Sequence, residues 1–98
     1  MANTYEKLVA AGAPAIVEPL FYRVAQAHTG AIIVELRERL PYKGSNLKAR
    51  RTVSLNGLPS EIPARVADAA TECVMEHEAA VAVASLVGVA SSTGRDDV

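Results

Sequence analysis

Six basic side chains and one acidic side chain lie between residues 37 and 51. Lys and Arg at this density are typical of a surface that binds phosphate groups, because such contacts supply much of the affinity of proteins for nucleic acid. The turn-forming residues Gly44, Ser45 and Asn46 lie within the same segment and offer backbone amides to an anion. The sequence therefore predicts a polyanion-binding site that consists of Arg37, Arg39, Tyr42, Lys43, Lys48, Arg50 and Arg51.

The charge balance reverses further along the chain. Residues 61–78 contain five acidic side chains and one basic side chain, whereas the formal net charge of the whole chain is only −1. This polarity excludes a uniformly basic protein that coats nucleic acid. An alternative interpretation is that the basic segment pairs with the acidic segment of its own chain or of a neighbouring molecule, which would be another copy or an acidic protein.

No motif in the chain specifies a reaction. Neither Cys73 nor any serine stands in a nucleophile elbow, and the glycine-containing turn near residue 44 lacks the spacing of a phosphate-cradling loop. The small, alanine-rich core that 98 residues can form is also poorly suited to enclose a polar active-site pocket. We therefore expect neither an enzyme nor a bound cofactor.

Cys73 and His77 lie four residues apart, a spacing at which two helical side chains can share a metal ion. Both also belong to an apolar stripe, in which an isolated cysteine packs as a small hydrophobic residue. We therefore interpret them as core residues and predict no metal site. A single cysteine cannot form an internal disulfide, which favours a cytoplasmic location.

Two helices are expected before the basic segment. Asn3 begins a capping-box pattern, which predicts a helix over residues 3–11. Pro19 fits the first turn of a second helix that extends to about His28. Three apolar residues would share one face of this second helix at helical spacing, namely Leu20, Val24 and Ala27.

The basic segment itself has the pattern of two strands. Residues 31–40 and 49–55 alternate between apolar and polar side chains, which predicts an antiparallel hairpin with one buried face. After Ser60, a typical N-cap, a helix is expected to begin near residue 61 and to continue to Gly88. Half of the residues are apolar, which is enough to form a folded core. The order of the predicted elements indicates an α+β fold of two helices, a hairpin and a long amphipathic helix. Residues 1–90 would form one domain, followed by a flexible tail over residues 91–98.

The long helix is expected to be an oligomer interface. At about 40 Å it is longer than a two-stranded hairpin can cover, so a second copy of the chain is the simplest source of the missing cover. Its predicted interface residues are Val66, Ala70, Cys73, His77, Ala80, Ala84 and Val87. The longest apolar run, residues 79–90, is too short for a membrane span, which requires about 20 residues, so no membrane partner is expected.

The segments Arg51–Leu55 and Leu58–Ile62 resemble the start of a ribbon-helix-helix DNA-binding domain. In both, a short alternating strand is followed by a Leu-Pro turn and an amphipathic helix, and in that family the paired strands of a dimer contact the DNA major groove. The resemblance covers about 20 residues of common turn chemistry. It departs from the family because residues 64–85 contain no Gly, Pro or Asn to separate a second helix from the first.

Two functions follow from these patterns. The leading hypothesis is a small, non-enzymatic, oligomeric protein that binds nucleic acid or another polyanion on the basic hairpin. The alternative is a protein–protein interaction or assembly subunit, such as an accessory protein of a phage or a bacterium. This subunit would self-associate through the long helix and through complementary charge.

Overall fold

The computed structural model of the chain describes residues 3–93. In chain order, the elements are α1 (Thr4–Ala10), β1 (Leu20–Gln26), β2 (Ile32–Arg39), β3 (Ser45–Val53), a 3-10 turn (Pro59–Glu61) and α2 (Ile62–Thr93). The three strands form one antiparallel sheet in the order β1-β2-β3. The predicted α+β class is confirmed, with one N-terminal helix instead of two.

The N-terminal helix begins as its sequence indicates. The Asn3 side chain accepts a hydrogen bond from the Glu6 backbone amide at 2.8 Å, and the Glu6 carboxylate accepts one from the Asn3 amide at 3.1 Å. This reciprocal pair satisfies two amides that have no partner within the helix. Leu8 of α1 is buried in the core.

The predicted second helix is wrong, because residues 20–26 form strand β1. Residues four apart share a face in a strand as well as in a helix, so the spacing of Leu20 and Val24 fits both structures. Tyr22 distinguishes a strand from a helix here, because it lies between Leu20 and Val24 on the same face of the sheet and is buried. This alternation, together with the aromatic and β-branched side chains, favours a strand.

The predicted hairpin is confirmed as β2 and β3. Its turn is shorter than expected, since Leu40 donates a backbone hydrogen bond to Gly44 at 3.1 Å and β3 begins at Ser45. Gly44 has a φ of +83°, which a glycine adopts without a steric penalty. The register of the two strands shifts by one residue after Leu36.

The core lies between one face of the sheet and the first half of α2. Apolar side chains at alternate positions of the strands pack against small side chains of the helix, so the two layers lie close together. On the sheet, the buried residues include Val34, Leu36, Ala49 and Val53. On the helix, they are Val66, Ala67, Ala69, Ala70, Cys73 and Val74.

Helix α2 extends beyond the sheet. All residues from 78 to 86 are exposed, and among the side chains described up to residue 86 the last buried one is Val74. No break interrupts the helix between Ile62 and Thr93, so the second helix of a ribbon-helix-helix domain does not form within residues 3–93. Of the predicted tail, residues 94–98 lie outside the described residues.

Candidate anion-binding site on the open sheet face

The two faces of the sheet differ in their cover. Helix α2 packs on one face, and α1 lies on the same side, where the rings of Tyr5 and Tyr22 stack with their centroids 6.1 Å apart. Within residues 3–93 no element packs on the opposite face, which we call the open face. Because side chains alternate along a strand, this face carries the polar positions of the predicted hairpin.

Glu35 lies at the centre of the open face and is buried beneath three arginines. Its Oε2 accepts hydrogen bonds from Arg50 Nη2 at 2.7 Å and Nε at 3.1 Å. Its Oε1 accepts one from Arg37 Nη1 at 2.9 Å and a longer one from Arg23 Nη1 at 3.4 Å. We refer to these four residues as the Glu35 cluster.

The strand register explains why the cluster forms. Arg23 of β1 and Arg50 of β3 are the direct partners of Glu35 on its two sides, and side chains at paired positions lie within contact distance. Arg37 is two residues further along β2, on the same face. Ser45 fixes the Arg37 guanidinium by accepting a hydrogen bond from its Nε at 2.7 Å.

The cluster keeps Glu35 ionised. Burial alone would raise the pKa of this carboxyl, but hydrogen bonds from Arg50, Arg37 and Arg23 outweigh that effect and hold the pKa below its ordinary value of 4.5. Three guanidinium charges therefore surround one carboxylate, which leaves a net charge of +2. A fixed positive charge on an uncovered surface attracts anions.

The three arginines of the cluster differ in their exposure. The side chain of Arg37 is only 21% exposed and is held by both Glu35 and Ser45. Those of Arg23 and Arg50 are 58% and 54% exposed. A guanidinium group carries five N–H donors, so Arg23 and Arg50 keep several donors that can reach a ligand.

Arg39 lies on the open face near the β2–β3 turn. Its Cζ is 4.6 Å from the centroid of the half-buried Phe21 ring, a cation–π arrangement. Its Nε also lies 3.4 Å from Glu18 Oε1, in an exposed pair that water screens. Tyr42 and Lys43, at the tip of the same turn, are both exposed, and the Tyr42 ring is fully so.

Two further basic residues predicted for the site, Arg51 and Lys48, pair with acidic side chains outside the Glu35 cluster. Arg51 lies on the helix side of the sheet, where its Nη1 is 2.6 Å from Glu76 and its Nε is 3.3 Å from Glu72. Lys48 Nζ lies 3.0 Å from Glu38 Oε1. The alternative interpretation, in which the hairpin pairs with the acidic helix of its own chain, thus describes Arg51 but not Arg50.

The predicted oligomer-interface residues divide into two groups. Val66, Ala70 and Cys73 are buried against the sheet of the same chain, so they are unavailable to a second copy. Ala80 and Ala84 are exposed, whereas His77 is half-buried between the two groups. The side chain of Val87 lies outside the described residues.

Arg23 and Glu35 belong to the site although the sequence did not predict them. The predicted second helix includes Arg23, which obscures its position opposite Glu35. Glu35 occupies a polar position of the predicted strand over residues 31–40, but its burial depends on three arginines from three strands. A single acidic residue on an otherwise basic strand face is the signal that could have identified it.

Cys73 is buried, and its Sγ lies 3.7 Å from the Val34 carbonyl oxygen. Burial raises the pKa of this thiol. Across the part of the chain that the structure describes, no three His, Cys, Asp or Glu side chains lie close enough together to hold a metal ion.

Comparisons with protein-family models, curated proteins and solved structures found no match to this chain. Between residues 3 and 93, no helix combines the length and the apolar character that are needed to cross a membrane.

Proposed function

We propose that this chain is a small, non-enzymatic binding protein that holds the phosphate groups of nucleic acid or of a similar polyanion on its open sheet face. The observation that carries this proposal is the Glu35 cluster. Three arginines from three strands meet at one buried carboxylate and retain a net charge of +2 on an uncovered surface.

The cluster favours anion binding because its guanidinium groups are already positioned. A flexible surface arginine loses side-chain entropy when it binds a phosphate, whereas Arg50 is held by two hydrogen bonds to Glu35 before any ligand arrives. The planar guanidinium can then donate its remaining hydrogens to phosphate oxygens in a fixed direction. Arg23, Arg39 and Arg50, each more than half exposed, are the proposed phosphate contacts.

Arg50 and Arg51 provide a matched pair of variants for the test. They are adjacent in sequence but lie on opposite faces of the sheet, so Arg50→Gln and Arg51→Gln remove the same charge from different surfaces. Arg50→Gln should weaken binding of a fluorescent single-stranded oligonucleotide about tenfold, since a hydrogen bond to a charged group contributes about 1.5 kcal/mol or more. Arg51→Gln should change the affinity less than threefold.

Fluorescence anisotropy at low salt measures both affinities, and circular dichroism confirms that both variants fold. Equal losses in the two variants would show that only overall charge matters. Absence of binding by the unmodified protein to this strand, to its duplex and to inorganic polyphosphate would refute the proposal.

A second function, self-association as an assembly subunit, is favoured by the exposed end of α2. Residues 79–86 carry no charged side chain, and Val81, Val83 and Leu86 are all exposed. A helix that is apolar on all sides is normally buried in a larger assembly. We propose that this segment packs against the same segment of a second copy, which is compatible with an anion site on the open face.

A further inference from the structure

We propose that the ligand of the open face is single-stranded nucleic acid, whose unpaired bases stack on Tyr42 and on the Arg39–Phe21 pair. This inference rests on the proposed function and narrows it, since polyanions without bases and base-paired duplexes would then be poor ligands.

Tyr42 is the first observation. Its ring is fully exposed at the tip of the β2–β3 turn and takes no part in the core. The turn fixes the backbone from which the ring projects, because Leu40 donates its backbone hydrogen bond to Gly44 and so closes the loop around residues 41–43. An exposed aromatic ring on a short, closed turn offers a flat surface on which a base of any identity can stack.

The Arg39–Phe21 pair is the second observation. The guanidinium carbon of Arg39 lies 4.6 Å from the centre of the Phe21 ring, so one side of this cation is already in contact with an aromatic group. Arg39 is 58% exposed, which leaves its other side open to a base. Arginine planes and aromatic rings are the usual stacking partners of unpaired bases in proteins that bind single strands.

The arrangement of these groups along the sheet is the third observation. Tyr42 follows Arg39 by three residues, in the turn that joins β2 to β3. Glu35, with Arg23 and Arg50 at its paired positions, lies four residues before Arg39 on β2, about 13 Å away at 3.3 Å per residue. One end of the face therefore offers stacking surfaces, among them the plane of Arg39, whose N–H edge can still contact a phosphate. The centre offers the phosphate-binding guanidinium groups of Arg23 and Arg50.

A single strand can use both parts of this face at once, because its bases are free to turn toward the protein while its phosphates follow the arginines. A duplex keeps its bases stacked inside, and its major groove admits a helix or a two-stranded ribbon rather than the face of a three-stranded sheet. An acidic peptide or an inorganic polyphosphate carries charge but no bases.

The test compares ligands and variants of the full chain by fluorescence anisotropy at low salt. The probe is a labelled single strand of about 12 nucleotides, within the site sizes of small single-strand-binding surfaces. The same strand annealed to its complement is the second ligand, while inorganic polyphosphate and polyglutamate are competitors. The variants are Tyr42→Leu and Tyr42→Phe, with Leu58→Ala as a control for loss of an exposed apolar side chain at the opposite end of the sheet.

We expect the single strand to bind at least tenfold more tightly than the duplex. Tyr42→Leu should weaken single-strand binding about fivefold to a hundredfold, because stacking of one base contributes about 1–3 kcal/mol. Tyr42→Phe keeps the ring and should preserve the affinity, as should Leu58→Ala. Because Tyr42 is fully exposed, none of these effects depends on a change in folding.

The outcomes separate this inference from the proposed function. If duplex and polyphosphate bind as tightly as the single strand and Tyr42→Leu has no effect, the face binds anions but not unpaired bases, and only the inference is overturned. Equally strong competition by polyglutamate would also overturn it, in favour of an acidic protein ligand. If no ligand binds, the proposed function itself is refuted.

Discussion

Replacing Glu35 with glutamine should destabilise the fold by about 3 kcal/mol. Glu35→Gln keeps the shape of the buried side chain but removes its negative charge and replaces one acceptor oxygen with an NH₂ group. That group would face guanidinium donors, and three positive charges would remain together without a counter-ion. Because small domains are stable by about 5–15 kcal/mol, the variant should remain folded.

The magnitude follows from the geometry of the Glu35 cluster. A hydrogen bond to a charged group contributes about 1.5–3 kcal/mol when it is shielded from water. Arg37, which is 21% exposed and 2.9 Å from Glu35, should contribute about 2 kcal/mol. Arg50 is half exposed and should contribute about 1 kcal/mol after screening, while the long contact with Arg23 adds little.

Urea unfolding followed by circular dichroism measures this difference at neutral pH. The matched control is Glu38→Gln, since Glu38 pairs with Lys48 at 3.0 Å in a partly exposed position. The control should change the free energy of unfolding by less than about 1 kcal/mol.

The difference in free energy of unfolding between the unmodified protein and Glu35→Gln should also depend on pH. The pKa of Glu35 is lower in the folded chain than its ordinary value of 4.5, so its stabilising effect is complete above that value and is lost as the pH falls through the folded-state pKa. The unmodified protein and Glu35→Gln should therefore converge in acid. A difference below 1 kcal/mol at neutral pH, or one that persists unchanged in strong acid, would refute this account of the cluster.

Two further predictions concern other parts of the molecule. Burial raises the pKa of Tyr22 from 10.0 to about 12, so the free energy of unfolding should fall by about 2–3 kcal/mol between these pH values. Urea titrations should show no such fall in Tyr22→Phe. An equal fall in this variant would contradict the attribution of the effect to Tyr22. Val81→Glu should reduce the molar mass measured by light scattering to that of one chain, because it places a charge in the exposed apolar end of α2. The control Met75→Glu, on the exposed side of α2 above the sheet, should leave the mass unchanged. An unchanged mass in Val81→Glu would argue against self-association through this segment.

The sequence predicted the elements whose signals are local. The capping box at Asn3, the alternation along β2 and the start of α2 near residue 61 depend on neighbouring residues, and the structure confirms them. The predicted N-cap Ser60 is wrong, because this residue lies inside the 3-10 turn Pro59–Glu61. Strand β1 was not predicted because the spacing of Leu20 and Val24 fits both a helix and a strand. The burial of Tyr22 distinguishes the two, but it is known only once the sheet has formed.

The Glu35 cluster could be predicted only in part. Charge density identified Arg37 and Arg50 but not Arg23, which lies outside the basic segment. The grouping of the three depends on strand register, which places Arg23 and Arg50 beside Glu35 and places Arg51 on the helix side. Register is a non-local property that arises when the apolar faces of three strands are buried together. Charge density alone therefore did not separate the arginines that face solvent from the one that pairs with α2.

The salt dependence of single-strand binding tests the central claim most directly, when it is measured for the unmodified protein, Arg50→Gln and Arg51→Gln. Three phosphate contacts, by Arg23, Arg39 and Arg50, predict that the logarithm of the binding constant falls with the logarithm of salt concentration at a slope of about −2. The slope should decrease to about −1.4 in Arg50→Gln and stay near −2 in Arg51→Gln. A slope near zero, or the same change in both variants, would contradict the assignment of the open face as the anion-binding site.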